Sequence, residues 1–143
     1  MSRRRDALFA VAVLFNYDGT ATMVRDVVAP PPTRIQPVET TTSPGKQLPL
    51  IQFDVLLPDC TENKNFKALV SVMPTLGSVT AATQDVVAQY PAGNKLAACN
   101  GQKHRQLVIF YSAPDTGSDT LTIRAGIGGE VVELVYSIKS TGN

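Results

Sequence analysis

Cys60 and Cys99 are the only cysteines in this 143-residue chain, and they constrain the fold more than any other feature. They lie where strand-like apolar runs alternate with turns, downstream of an N-terminus that reads as an export signal. An even pair in an exported β-rich domain is most simply a disulfide. The alternative is two free, buried thiols in a reducing compartment. If joined, the pair closes a loop of roughly 40 residues, which in the chain-entropy picture restrains the unfolded state by about 4 kcal/mol. Two loops that can meet at one pole of a small extracytoplasmic β-sandwich satisfy this requirement. No reaction follows from it.

The export reading rests on Met1 to Phe15. Arg3, Arg4 and Arg5 form a basic start, and Leu8 to Phe15 (LFAVAVLF) is an unbroken apolar run. This is the charge and apolar order of a secretory signal. The run is too short to cross a bilayer as a helix, which takes about 20 apolar residues, so no transmembrane helix is expected in the mature protein. No Ala-x-Ala site follows; the best small-residue stretch is Gly19-Thr20-Ala21-Thr22. The competing reading is a buried strand or short helix with a basic start. Residues 1–23 are therefore expected to be removed or to lie outside the core.

Five of the ten prolines fall between Pro30 and Pro44. Proline fixes φ and donates no N–H, so residues 24–47 read as a Pro/Thr-rich linker, with 29–47 poorly packed. From Leu48 the pattern becomes period two, the signature of strands with one buried face. Residues 48–139 are expected to form an all-β, antiparallel two-sheet sandwich, with 140–143 as a tail. Ile51, Phe53, Val55, Val70, Val72, Ile109, Leu121, Ile123, Val132, Leu134 and Tyr136 are its expected core. Leu107 to Tyr111 (LVIFY) is apolar throughout, as befits a central strand. Val86 to Tyr90 reads as a short strand, and Pro91 to His104 as a loop. Ala81 to Ala88 is the one helix candidate, weakened by its Thr and Val content.

Two turn motifs carry a resemblance. Pro74-Thr75-Leu76-Gly77-Ser78-Val79 matches a Pro-x-x-Gly-x-Val turn. Tyr111 to Asp119 (YSAPDTGSD) follows a Tyr-x-x-x-Pro-x-x-Gly-x-Asp segment, with one residue fewer between Tyr111 and Pro114. With Cys99-Asn100-Gly101 ahead of the central strand, the stretch from Met73 to Ile138 resembles Ig-like, cadherin-like domains of exported bacterial proteins. The resemblance covers about half the chain. It implies an Ig-like sandwich and a periplasmic or extracellular home, and it carries no catalytic residues.

Chemistry is sparse. The net charge of +1 supplies no field to draw nucleic acid or anionic lipid, so no nucleic-acid partner is expected. Tryptophan is absent, which excludes a carbohydrate face built on exposed indoles. His104, the single histidine, sits in Gln102-Lys103-His104-Arg105 and reads as a solvated loop residue. Lys103, His104 and Arg105 together are a candidate anion or partner contact. Structural zinc needs four N or S donors, and the cysteines and histidine supply three. Asp115 and Asp119 flank Gly117 and are weak calcium candidates; the plainer reading is an Asx turn and a strand anchor. No cofactor is expected. The leading function is a non-enzymatic extracytoplasmic module for protein binding, adhesion or envelope structure. The alternative is a small secreted hydrolase or lyase whose site the sequence does not reveal.

Overall fold

Among the described residues the alternating segments fold into nine strands. The structure, a computed structural model, describes residues 11–25, 31–127 and 129–142. In chain order the strands are β1 (Val11–Asn16), β2 (Ala21–Arg25), β3 (Arg34–Thr42), β4 (Leu48–Asp54), β5 (Lys67–Val72), β6 (Ser78–Val87), β7 (Lys103–Ser112), β8 (Gly117–Ile127) and β9 (Glu130–Ser140). A 3₁₀ turn covers Ala97–Cys99. The strands form a six-stranded sheet, β2-β1-β5-β8-β9-β3, and a three-stranded sheet, β4-β7-β6.

The inner faces of the two sheets meet in one core. Val70, Leu121, Ile123 and Val132 come from the larger sheet, and Leu107, Ile109 and Tyr111 from the smaller; all are at most 1% exposed. Full burial of each aliphatic side chain stabilises the fold by about 1.5–3 kcal/mol. Burial along β9 alternates from Val132 through Leu134 and Tyr136 to Ile138, the period-two pattern of a strand with one face inward. Burial also holds the Tyr136 phenol up at about 12.

Four expectations are corrected. First, the end of the N-terminal apolar run is inside the sheet. β1 pairs with β2 and with β5, and Phe15 is 3% exposed in the core. An apolar run beside an open strand edge satisfies both its backbone and its side chains by pairing there. Arg3 to Arg5 and Leu8 to Ala10 lie outside the described residues. Second, the linker holds a nine-residue strand, β3, paired with β9. Pro37 is tolerated because β3 is an edge strand, where a missing N–H can face outward. Pro30 and Asn143 lie outside the described residues. Third, β3 runs parallel to β9, so the larger sheet is mixed. Parallel neighbours need a long crossover, and here the chain from β4 to β8 supplies it. Fourth, Val72 is 50% exposed. A register shift between Val70 and Val72 reverses the phase of β5, so Val72 pairs with Thr122. Of the helix candidate at Ala81 to Ala88, the residues through Val87 belong to the uninterrupted β6 ladder instead.

The two turn motifs meet in space. Asp119, at the start of β8 and 5% exposed, accepts the Thr75, Leu76 and Gly77 N–H groups at 2.9, 3.1 and 2.9 Å. It also accepts the Tyr111 hydroxyl at 2.7 Å and the Thr120 N–H at 3.0 Å. Gly77 is required by close approach. A Cβ there would stand 2.3 Å from the Ser112 carbonyl oxygen and 2.7 Å from Tyr111 Cζ. Gly77→Ala is expected to destabilise the protein by about 1–3 kcal/mol, the usual range for overpacking. An unchanged urea midpoint would show that this turn relaxes freely.

Candidate functional site on the outer face of the smaller sheet

Register assembles the most organised polar cluster outside the core. Gln84 of β6 is opposite Gln106 of β7, and Gln106 is opposite Asp54 of β4. Directly paired residues project from the same face, so the three side chains form a row on the outer face of the smaller sheet. Gln84 Nε2 donates to Gln106 Oε1 at 2.9 Å, and Gln106 Nε2 donates to Asp54 Oδ1 at 2.7 Å. The Tyr90 hydroxyl completes the row by donating to Asp54 Oδ2 at 2.8 Å.

Tyr90 comes from the long loop between β6 and β7, which folds back over this face. Its N–H donates to Asn100 Oδ1 at 2.7 Å, and Asn100 Nδ2 returns a bond to the Tyr90 carbonyl at 3.0 Å. The far end of the loop is fastened covalently. Cys99 in the 3₁₀ turn is joined to Cys60, with Cα atoms 5.5 Å apart. Cys60 sits in the turn after β4, where Thr61 N–H and Oγ1 both donate to Asp59 Oδ1, at 3.1 and 2.6 Å. These bonds hold the exposed Asp59 carboxyl below its ordinary value. The Cys60 backbone lies in the left-handed region, at φ 71°.

His104 underlies the loop. It projects on the same side as Gln106, two residues on. Its ring stacks against Tyr90, with centroids 6.2 Å apart and planes 25° apart. Nδ1 lies 3.2 Å from the Arg105 carbonyl oxygen, a distance that fits Nδ1–H donating to it. Desolvation, then the bond to Asp54 and its charge, push the Tyr90 phenol well above its usual range. At neutral pH it is therefore a hydrogen-bond donor and not a phenolate. The arrangement is a hydrogen-bonded polar row beside a loop clamped by the disulfide.

The expected contact at Lys103, His104 and Arg105 does not form one patch. These residues open β7, and alternation sends His104 to one face and its two neighbours to the other. His104 is 8% exposed, so the solvated-loop reading is corrected. Arg105 is engaged by Glu62 at 3.0 Å and lies over the Tyr17 ring at 5.6 Å. Lys103 is exposed. Asp115 is exposed in the turn before β8, whereas the Asp119 oxygens are filled by protein donors. The two carboxylates therefore do not share a cation site. Among the described residues no group of three or more His, Cys, Asp or Glu side chains is placed to hold a metal. Among them also, no helix is long and apolar enough to cross a membrane.

Asp54, Gln84, Tyr90 and Gln106 carry no local motif, so the sequence does not mark them. His104→Ala is expected to cost about 1–2 kcal/mol through lost packing under Tyr90, whereas Lys103→Ala stays within about 0.5 kcal/mol. Urea titrations of the two variants give the comparison, and equal midpoints would refute the packing role. Comparison with protein-family models, with curated proteins and with solved structures gives no match to this chain.

Proposed function

We propose that this chain is a non-enzymatic extracytoplasmic module of the Ig-like kind that works by binding another protein, in adhesion or in envelope structure. The observation that carries the reading is strand order. Lettered from β3 as A to β9 as G, the smaller sheet is B-E-D and the larger contains A-G-F-C. An Ig-like sandwich likewise sets B, E and D opposite C, F and G; strand A, which the constant type places beside B, pairs here with G. The Tyr111–Asp119 bond ties the end of E to the start of F. The β1–β2 hairpin continues the second sheet beyond C. The disulfide departs from the antibody pattern: it links the turn after B to the loop before E, and not B to F.

The disulfide supports the extracytoplasmic part of the reading, since such bonds persist in oxidising compartments. The clamped polar face supports the binding part. Fractionation of cells producing the full chain, followed by intact-mass analysis, tests the compartment. The expected result is protein outside the cytoplasm with Cys60 and Cys99 oxidised. Reduced protein confined to the cytoplasm would overturn the reading.

A further inference from the structure

We infer that the open edge of β6 accepts an extended polypeptide strand from a partner, by β-sheet augmentation, with a basic residue at one end of that strand. The inference rests on the binding-module reading and names the kind of partner.

The sandwich has four edge strands, β2, β3, β4 and β6. Natural sheets blunt their edges with short strands, prolines, bulges or lysines. β2 is five residues long, β3 carries Pro37, and β4 carries Pro49 and a register break. β6 has none of these devices. It is ten residues long (SVTAATQDVV), without Pro, Gly, Lys or Arg, and it pairs with β7 without interruption. Among the described residues no strand pairs with its other side. The unpaired backbone N–H and C=O groups of such an edge are matched by one kind of occupant, another extended backbone.

A second observation lies beside this edge. The larger sheet has twice as many strands as the smaller. Met23 on β2 is in register with Val13, Val13 with Val70, and Val70 with Ile123, so Met23 projects on the core-facing side. It is nevertheless 73% exposed. The β1–β2 turn reaches β6 at Gly19, where a Cβ would stand 3.4 Å from Thr83 Cγ2. The same point lies 3.7 Å from the Ala82 Cα, so the contact bounds the open stretch at Ser78 to Ala81 and sets the hairpin beside it. A strand added there lies over the side of the hairpin that carries Met23. Its side chains on that face are then apolar at alternate positions.

Charge sets the direction. The single charged residue of β6 is Asp85, which is exposed. Asp18 belongs to the turn that touches β6, and it too is exposed. Both carboxylates lie at or beyond the bounded end of the open stretch, so a basic residue on the incoming strand belongs at that end.

The test uses the full chain and a capped eight-residue peptide of alternating valine and threonine ending in lysine, read by amide hydrogen exchange and NMR titration. Protection is expected at Ser78 to Ala81, with binding lost on N-methylation of the peptide backbone. Binding is expected to weaken at least about threefold when glutamate replaces the lysine, and again in Met23→Glu. Absence of protection at millimolar peptide, or equal binding of the N-methylated peptide, would overturn the inference. So would β6 protection that rises with chain concentration alone, which assigns the edge to a second copy. If these results fail while export and oxidation hold, the inference falls and the module reading stands.

Discussion

Asp119→Ala is expected to lower the unfolding free energy by about 3–5 kcal/mol, the range for removing one member of a buried, charge-assisted cluster. Set against a domain stability of about 5–15 kcal/mol, this loss brings the variant close to unfolding. The carboxylate accepts three consecutive backbone N–H groups of the turn after β5 and the Tyr111 hydroxyl. Alanine leaves those donors without a partner. Asp119→Asn is also expected to destabilise strongly, because both carboxylate oxygens accept and an amide offers one oxygen. The pH dependence has a definite sign. Desolvation raises the carboxyl, but the bonds from Tyr111, Gly77, Thr75 and Thr120 outweigh it and hold it below 3.8. A depressed folded value contributes stability that is present above the unfolded value and lost as pH falls through the folded one. The wild type should therefore lose stability progressively below about pH 4, and the Asn variant should lack this component. Parallel urea titrations across that window decide the point. Identical acid profiles would remove Asp119 as the anchor.

Reduction of the disulfide, or the paired change Cys60→Ala with Cys99→Ala, is expected to cost about 4 kcal/mol, since the bridged residues are 39 apart in sequence. The alanine pair carries an added term, because Cys99 is fully buried and its sulfur leaves a small cavity. The loss should have a local signature. Without the bridge, the loop carrying Tyr90 is held by the Asn100 and Asp54 bonds. Hydrogen exchange should then rise first at Ala88 and Gly101, whose N–H groups bond to Gln102 and Ala88 carbonyls within the loop. A change of less than about 1 kcal/mol would mean that the unfolded chain gains little freedom on reduction.

How much of this was legible in the sequence differs between elements. Alternating apolar residues from Leu48 onward specified an all-β chain, because side-chain direction in a strand has period two and water sorts the faces. That pattern identified Phe53, Ile109, Leu121, Ile123, Val132, Leu134 and Tyr136 as core, and the cysteine pair specified the staple. Local sequence could not reveal pairing partners. Pro37 marks a linker by its chemistry, yet at a sheet edge its missing N–H costs nothing, so β3 pairs. The apolar run read as an export signal is equally suited to a strand, and β5 offered it an edge. Val72 failed for one extra residue, since a bulge reverses every side chain beyond it. His104 looks solvated among polar neighbours, and only the return of the loop puts Tyr90 over it. The row from Gln84 through Gln106 to Asp54 depends wholly on register. Composition and periodicity therefore determined which residues avoid water. The tertiary structure alone decided which of them meet, because strand pairing joins residues whose separation along the chain carries no local signal.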